Sequence, residues 1–249
     1  MIFAQTDHKI RCEWGLNGTR WLAPISDAVI LVDVLSFSTS VSIAAGRGAT
    51  VFPYAGSVED LPGFAASVNA QVAGRRREGA SSLSPASMTR LAPGTRLVLP
   101  SPNGSTLSLA TGDTPTFAGC LRNSRAVAAA ALAYGPQVAV IPGGERIRSR
   151  DGSGHTLSLR FALEDLLGAG SILFHLREGA GAVAALSPEA QAAATLYESM
   201  RAQVGALVAG CGSGLELIQK GYEEDVALAA EVDVDDWAPI LRGGAYVSA

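Results

Sequence analysis

The sequence contains few of the residues on which many metal and redox sites depend. Its 249 residues include three cysteines and three histidines. Cys12, Cys120 and Cys211 are too far apart to match the ligand spacing of zinc sites, and they do not form a disulfide framework by pattern. We therefore interpret the thiols as buried and inert, in a protein of the reducing cytoplasm.

Long apolar runs and basic stripes are also missing. No window approaches the ~20 apolar residues of a membrane helix, and the first residues lack the basic start of a signal peptide. The formal net charge of −4 disfavours non-specific binding to nucleic acid or to a membrane. We expect neither as a partner, and the sequence leaves the oligomeric state open, a homo-oligomer included.

Three motifs of phosphate and ester chemistry are absent as well. Without Gly-x-x-x-x-Gly-Lys-Ser/Thr a P-loop nucleotide site is not expected. Without Gly-x-Ser-x-Gly the chain does not match the α/β-hydrolases. An Asp-x-Asp phosphatase would need an acid at the position of Leu35.

The residues that are present predict an α/β fold. Apolar residues make up 48% of the chain and charged residues 17%, which is typical of a globular protein with a substantial core. Short apolar strands alternate with helical segments, a pattern that predicts a largely parallel or mixed sheet with helices on both faces. We expect one domain over residues 1–249, with a mostly helical C-terminal half.

The stretch 28–40 organises this prediction. Residues 28–32 form an apolar run typical of a buried strand, and Asp33 follows it directly. Ligands of open α/β sheets bind beyond the carboxyl ends of strands, and the helix start at Ser38, Thr39 and Ser40 would offer N–H groups to an anion. A second interpretation stays equally open, in which Asp33 braces a loop and the hydroxyls only cap a helix.

Three later strand ends repeat this design of apolar strand, polar turn and helix start. A plain β-turn would explain Pro102-Asn103-Gly104 without any function. The functional interpretation therefore depends on the repeated occurrence of polar turns after apolar strands. The residues after these strands are Ser101, Asn103, Gly104 and Ser105 in one unit, Arg122 and Asn123 in the next, and Glu145 and Arg146 in the last.

Residues 159–170 predict a helix that carries Arg160 and the adjacent acids Glu164 and Asp165. Consecutive helix positions do not face the same way, so at most one of the two acids should point into a given site. The other acid is expected to meet solvent or a partner cation.

Two shorter stretches carry local predictions. Asn17-Gly18 is a strong turn signal and predicts a hairpin between Ile10 and Leu22. The basic residues 75–77 predict a solvated loop, from which one arginine could still reach a phosphate.

The oxygen-bearing side chains at the strand ends suggest a chemistry. Carboxylates without histidine or cysteine partners favour a hard cation such as Mg²⁺, which takes one or two carboxylates and keeps several waters. Arginines beside them can clamp an anion, and phosphoryl transfer needs both features. The acids and amide are Asp33, Asn103, Glu145, Glu164 and Asp165, and the arginines are Arg122, Arg146 and Arg160.

In the order and spacing of short motifs from Val29 to about Gly244, the chain resembles the 2-phosphosulfolactate phosphatase family, the ComB-like proteins. The matching pieces are Val32-Asp33-Val34-Leu35 with Ser38-Thr39, Ser101-Pro102-Asn103-Gly104-Ser105, Asn123-Ser124, Gly144-Glu145-Arg146, the stretch 163–170, Ser213-Gly214 with Glu216-Leu217, and the stretch 221–226.

This resemblance implies a three-layer α/β/α fold and Mg²⁺-dependent hydrolysis of 2-phosphosulfolactate to 3-sulfolactate and phosphate, a step towards coenzyme M. Family members commonly have arginine directly after Asp-Val-Leu, whereas this chain has Ser36. A related small 2-phosphorylated acid is therefore an alternative substrate. A non-catalytic small-anion-binding or regulatory protein on the same fold is the alternative from another class.

Together, the residues and the resemblance give the following hypothesis. Asp33, Glu145 and Asp165 hold Mg²⁺ directly or through water, with Glu164 the weaker candidate. Attack by a water that the metal activates is the favoured mechanism, and a covalent Asp33 phosphoenzyme is the alternative. The expected substrate contacts are Ser38, Thr39, Ser40, Ser101, Asn103, Gly104, Ser105, Arg122, Asn123, Arg146 and Arg160.

Overall fold

The structure is a computed structural model that describes residues 2–74, 76, 81–148, 156–180 and 186–248. Its strands are β1 Ile10–Cys12, β2 Ala28–Val32, β3 Thr50–Tyr54, β4 Gln71–Val72, β5 Arg96–Pro100, β6 Thr116–Gly119, β7 Val138–Pro142, β8 Glu145–Arg148, β9 Thr156–Arg160, β10 Pro239–Arg242 and β11 Ala245–Ser248. Its helices are α1 Gly15–Leu22, α2 Phe37–Gly46, α3 Leu61–Ser67, α4 Pro85–Met88, α5 Gly104–Leu109, α6 Ser124–Leu132, α7 Leu163–Ala180, α8 Pro188–Met200, α9 Val204–Gly210, α10 Gly212–Gln219 and α11 Glu223–Ala229.

A mixed sheet of nine strands runs through the fold in the order β1-β7-β2-β6-β10-β11-β3-β5-β4. Strands β1, β7, β2 and β6 are parallel to one another, as are β3, β5 and β4. The antiparallel pair β10 and β11 joins these two groups. Strands β8 and β9 form a separate antiparallel hairpin.

Helices cover both faces of this sheet. Along β2, Ile30 and Val32 belong to the apolar cluster formed with α6, α7 and α8, whereas Val29 and Leu31 belong to the cluster formed with α1 and α5. All five residues of β2 are buried, as expected for a strand between two layers of helices. The predicted α/β class, with a mixed sheet and a helix-rich C-terminal half, is confirmed.

Two local predictions are wrong. Asn17-Gly18 lies inside α1, where the Gly18 N–H donates to the Trp14 carbonyl at 3.1 Å. Tertiary packing decides this, because α1 buries Leu22 against the sheet. The helix predicted from Leu159 begins only at Leu163, since Leu159 and Arg160 pair with β8 in the hairpin.

The C-terminal helices are amphipathic packing elements. Ser187 caps α8 by accepting a hydrogen bond from the Ala190 N–H, as the Ser-Pro-Glu start of this helix predicts.

Among the described residues, none of the helices combines the length and the apolar character needed to cross a bilayer.

We expect Gly168→Ala to lower the free energy of unfolding by about 1–3 kcal/mol. A Cβ at this position of α7 would lie 2.6 Å from Cγ2 of Val34 and 2.9 Å from Cγ1 of Val32, so the helix would have to move away from β2. Gly205→Ala in α9 is the matched control, because nothing lies within 4 Å of its added Cβ. Urea unfolding of both variants checks this, and equal stability losses would contradict the packing described.

Candidate active site

Four acidic side chains lie at the strand ends, and we call Asp33, Glu145, Glu164 and Asp165 the acidic cluster. Asp33 is 7% exposed, and Glu164 and Asp165 are each 4% exposed, while Glu145 is half-buried. They come from the end of β2, the start of β8 and the first turn of α7. The fold therefore brings together acids that are up to 132 positions apart, from Asp33 to Asp165.

Backbone N–H groups hold the Asp33 carboxylate. Its Oδ1 accepts from the Phe37 N–H at 3.2 Å, and its Oδ2 accepts from the Gly104 N–H at 3.1 Å. Gly104 can approach this closely because it has no Cβ, which would lie 2.2 Å from the Phe37 ring. The carboxylate thus ties the turn after β2 to the turn after β5.

Asp165 is held in the same way. Its Oδ1 accepts from the Val34 N–H and its Oδ2 from the Gly144 N–H, both at 2.8 Å. The side chain links α7 to the turns after β2 and β7. Each carboxylate oxygen of Asp33 and Asp165 keeps a second lone pair, so both groups can accept further bonds.

Burial and like charge make this cluster electrostatically unfavourable without a cation. Burial raises the pKa of Asp33 to about 6, the N–H groups of Phe37 and Gly104 lower it, and the charges of Glu145 and Glu164 add to the increase. Burial, together with the charges of Asp33 and Glu164, raises the pKa of Asp165 well above its usual range. A positive charge at the cluster would relieve both effects.

Glu145 lies beside polar and cationic groups. Burial raises its pKa, and the nearby Arg160 partly offsets this effect. Glu145 and Arg160 are cross-strand partners in the β8–β9 hairpin, which places the opposite charges side by side. The guanidinium of Arg160 also donates to the Ser213 hydroxyl at 3.1 Å.

The two adjacent acids of α7 have different hydrogen-bond partners, although both are buried in the acidic cluster. Asp165 faces the turns after β2 and β7, whereas Glu164 accepts a hydrogen bond from the Cys211 thiol at 3.2 Å. The expectation that the second acid meets solvent or a cation is wrong. Glu164 is buried because α9 and α10 pack over the start of α7 and place Cys211 against it.

The turn after β5 contributes an amide to the site. Asn103 Nδ2 lies 3.5 Å from Glu145 Oε2, and its buried Oδ1 has no hydrogen-bond partner among the described residues. Arg146 reaches the same turn, donating from Nη1 to the Pro102 carbonyl at 2.9 Å. Asn103, Glu145 and Arg146 therefore lie together.

Most of the groups predicted to bind phosphate instead hold the turns in place. The Ser38 hydroxyl accepts from the Asp33 N–H, Thr39 donates to the Val34 carbonyl, and Ser105 donates to the Leu99 carbonyl. The Gly104 N–H is shared between Asp33 and the Ser101 hydroxyl. Ser40 is buried, and its hydroxyl has no partner within the described chain. These contacts favour a structural role for Ser38, Thr39, Ser101, Gly104 and Ser105.

Arg122 and Asn123 are also engaged elsewhere. Arg122 binds Asp235 through Nε and Nη2, each at 2.9 Å, and also bonds to Glu231 and the Leu228 carbonyl. Asn123 accepts from the Cys120 N–H and donates to the Ala118 carbonyl. Their donors are used within the fold, so we leave both residues out of the site proposed below.

Arg76, from the basic run 75–77, is a further cation near the site, although it was not among the predicted site residues. Its Nη2 donates to the Ser36 hydroxyl and to the Leu83 carbonyl, both at 2.7 Å. Its Nε lies 3.5 Å from Asp225 Oδ2, and its guanidinium lies over the Tyr222 ring. The basic run 75–77 was the available signal, and Arg75 and Arg77 lie outside the described residues.

The oxygen donors of Asp33, Asp165 and Asn103 suit a partly hydrated hard cation better than a metal whose ligands all come from protein side chains. Among the described residues, no three acidic, cysteine or histidine side chains converge as a complete metal-binding group. Mg²⁺ does not require this, because it commonly takes one or two carboxylates and keeps water in its other positions. The spare lone pairs of Asp33 and Asp165 and the unpartnered Asn103 Oδ1 fit such a partly hydrated ion.

Buried oxygen donors with arginines beside them, at the strand ends of a mixed sheet, are typical of α/β enzymes that act on anionic groups. The family model described as 2-phosphosulpholactate phosphatase matches residues 20–244, and the chain belongs to this family. The family is one of phosphoric monoester hydrolases, and the resemblance seen in the sequence is thereby confirmed. No curated protein matches the chain.

We expect Arg122→Ala to lower the free energy of unfolding by about 3–5 kcal/mol, because it leaves the buried Asp235 without its partner. The KM for a phosphate ester should stay unchanged. Arg125→Ala is the matched control, since Arg125 and Asp236 form an exposed pair that contributes about 1 kcal/mol or less. Thermal or urea unfolding together with steady-state kinetics checks this. A raised KM at normal stability would contradict the prediction and would indicate that Arg122 binds the substrate.

Proposed function

We propose that this phosphatase depends on Mg²⁺ and hydrolyses 2-phosphosulfolactate or a related small 2-phosphorylated acid. The observation that supports the proposal is that Asp33 and Asp165 are both held at the turn after β2, through the N–H groups of Phe37 and Val34. Glu145, Arg146 and Arg160 lie close by. Carboxylates hold a hard cation, and guanidinium groups neutralise a substrate with several negative charges. Cysteine usage favours the cytoplasm, and hydrolysis of the family substrate would be a step towards coenzyme M.

Asp33, Glu145 and Asp165 are the proposed ligands of Mg²⁺, directly or through water. Glu164 is a weaker candidate because its carboxylate already accepts the Cys211 thiol hydrogen bond. When bound, Mg²⁺ stabilises the charge of the phosphoryl group and makes a nearby water more acidic. The N–H groups of Phe37, Gly104, Val34 and Gly144 fix the directions of the aspartate oxygens.

The remaining polar groups are proposed to orient the ester. The Asn103 amide and Arg146 lie on one side of Glu145, and Arg160 lies opposite it across the hairpin. In the step itself, the oxygen of water bonds to phosphorus and the phosphorus to ester oxygen bond breaks. The alcohol oxygen leaves and takes a proton, which gives the hydroxy acid and inorganic phosphate.

The alternative mechanism makes Asp33 the nucleophile and forms a covalent phosphoenzyme. Both Asp33 oxygens accept backbone hydrogen bonds, which suits a fixed ligand as well as a nucleophile. The configuration at phosphorus, measured with an ester whose phosphoryl oxygens are isotopically chiral, separates the two routes. The covalent route has two in-line displacements at phosphorus and retains the configuration, whereas direct attack by water is a single displacement and inverts it.

Asp33→Asn and Glu145→Gln are expected to lower Mg²⁺-dependent kcat/KM by about 100-fold or more, since each removes a charge from the metal and phosphoryl site. Asp113→Asn, at an exposed acid, is the control and should retain full activity. Phosphate release from small esters, measured with Mg²⁺ and again with EDTA, is the assay. Full turnover in both site variants would show that the site lies elsewhere.

The same assay tests the non-catalytic alternative. An anion-binding or regulatory protein would release no phosphate from any ester while binding one of them tightly. Ser36, in place of the family's usual arginine, motivates this second candidate. In this chain the Ser36 hydroxyl accepts from Arg76, so a guanidinium still lies next to the turn that follows Asp33.

Mg²⁺ should stabilise the protein more at pH 8 than at pH 5. The Asp33 pKa of about 6 lies above its value in the unfolded chain, so its contribution to stability is present at low pH and is lost as pH rises through about 6. Mg²⁺ compensates the charge above pH 6, whereas below pH 6 it must displace a proton, which weakens binding up to about tenfold per pH unit.

Melting curves with and without Mg²⁺ measure this difference. At a concentration about 100 times Kd, the ion adds about 2.7 kcal/mol, or roughly 5–10 °C for a chain of this size. NaCl at the same ionic strength is the control. An equal or larger gain at pH 5 would contradict carboxylate binding of the ion.

A further inference from the structure

A cavity of about 260 Å³ lies against the acidic cluster. Asn103 and Gly143 line this cavity and also lie next to members of the acidic cluster. A Cβ added to Gly143 would lie 3.5 Å from Asp165 Oδ2 and 3.7 Å from Asp33 Cβ, and Asn103 Nδ2 lies 3.5 Å from Glu145 Oε2. The polar end of the cavity therefore opens towards the proposed reacting centre.

Apolar side chains from three separate elements form most of the other walls, and the polar side chains of Asn17 and Ser158 complete them. Trp14 and Leu16 come from the start of α1, Leu107 from α5 and Leu159 from β9. The start of α1 can touch β9 because position 15 is glycine, with φ of +60° and a would-be Cβ only 2.9 Å from Leu159 Cδ2. The cavity is thus a built space between α1, α5 and the β8–β9 hairpin.

We propose that this cavity binds the carbon skeleton of the substrate, and that the substrate is a 2-phosphorylated acid with an apolar side chain. The inference rests on the proposed function and narrows its substrate class. The phosphoryl group lies at the acidic cluster, the carboxylate lies towards Arg146, and the side chain extends between Trp14, Leu107 and Leu159.

The balance of wall chemistry favours an apolar side chain over a sulfonate. Arg146 is the one cationic residue among the described residues that line the cavity, and every 2-phosphorylated acid already has a carboxylate for it. Away from Arg146, a second anion would meet the neutral donors of Asn17 and Ser158 among apolar walls, and neutral donors compensate a lost hydration shell less well than a guanidinium does. A cavity of about 150 Å³ can hold benzene, so this volume of about 260 Å³ accommodates a branched side chain of four carbon atoms.

A series of esters tests the proposal through kcat/KM with Mg²⁺. The series contains 2-phosphoglycolate, 2-phospholactate, the 2-phosphate of 4-methylpentanoate, and 2-phosphosulfolactate. Because an apolar pocket discriminates by about 10-fold or more per methylene, we expect the branched ester to exceed 2-phosphoglycolate by at least about 100-fold. A higher kcat/KM for 2-phosphosulfolactate than for the branched ester would overturn the inference, as would equal values across the series.

Leu159→Ala should reduce this preference by about tenfold. Leu159 is 41% exposed, so its truncation is tolerated by the fold. Ile147→Ala is the matched control, because Ile147 lies in the same hairpin, is 42% exposed and is not among the described residues that line the cavity. Trp14→Ala gives an independent second test from α1. An unchanged preference in both cavity variants would contradict the proposal.

The design separates this inference from the proposed function. If EDTA abolishes the hydrolysis of 2-phosphoglycolate, the proposed function is supported, whichever ester of the series has the highest kcat/KM. Should no ester be hydrolysed, the proposed function fails, and calorimetry with 2-hydroxy-4-methylpentanoate and glycolate still tests the cavity. Tighter binding of the former, weakened by Leu159→Ala and not by Ile147→Ala, supports the cavity assignment, and equal binding overturns it.

Discussion

The hydrogen bond from the Gly104 N–H to the Asp33 carboxylate is the contact on which the site depends. Asp33 follows β2 and Gly104 follows β5, strands that belong to the two oppositely directed groups of one sheet. Five steps separate these strands, and a twist of roughly 20–25° per step accumulates to about 100–125°. A twist of this size allows the carboxyl ends of two oppositely directed strands to approach each other, and the bond from Gly104 to Asp33 joins them.

Placing like charges in this enclosed space has an energetic consequence. The four backbone N–H groups around Asp33 and Asp165 stabilise the ionised carboxylates, yet burial and mutual repulsion still raise the pKa of both. The donors thus orient the acids without neutralising them. The acidic cluster therefore keeps negative charge in a fixed geometry, with Arg146 and Arg160 beside it.

The sequence predicted the strand that ends at Asp33 and the placement of the other acids near strand ends. Apolar runs and the turn residues that follow them are local signals, so they can be recognised without knowledge of the fold. The sequence did not separate Arg122 from Arg146, since both follow strands. Their roles are decided by distant partners: Arg122 meets Asp235, 113 residues further along the chain, while Arg146 meets the turn after β5. The backbone hydrogen bonds of Ser38 and Ser105 were likewise not predictable, because a hydroxyl that satisfies a backbone group looks the same in sequence as one that binds a ligand.

The site also separates reaction chemistry from substrate shape. Asn103 and Gly143 lie beside both the acidic cluster and the cavity, so in the proposed binding mode a change of side chain in the substrate leaves the phosphoryl group in place. The acids lie within the matched family segment 20–244, whereas Trp14 and Leu16 precede it. Walls contributed from outside that segment can differ while the carboxylates and their backbone donors stay in place. Such an arrangement allows one phosphatase chemistry to serve acids of different side chain.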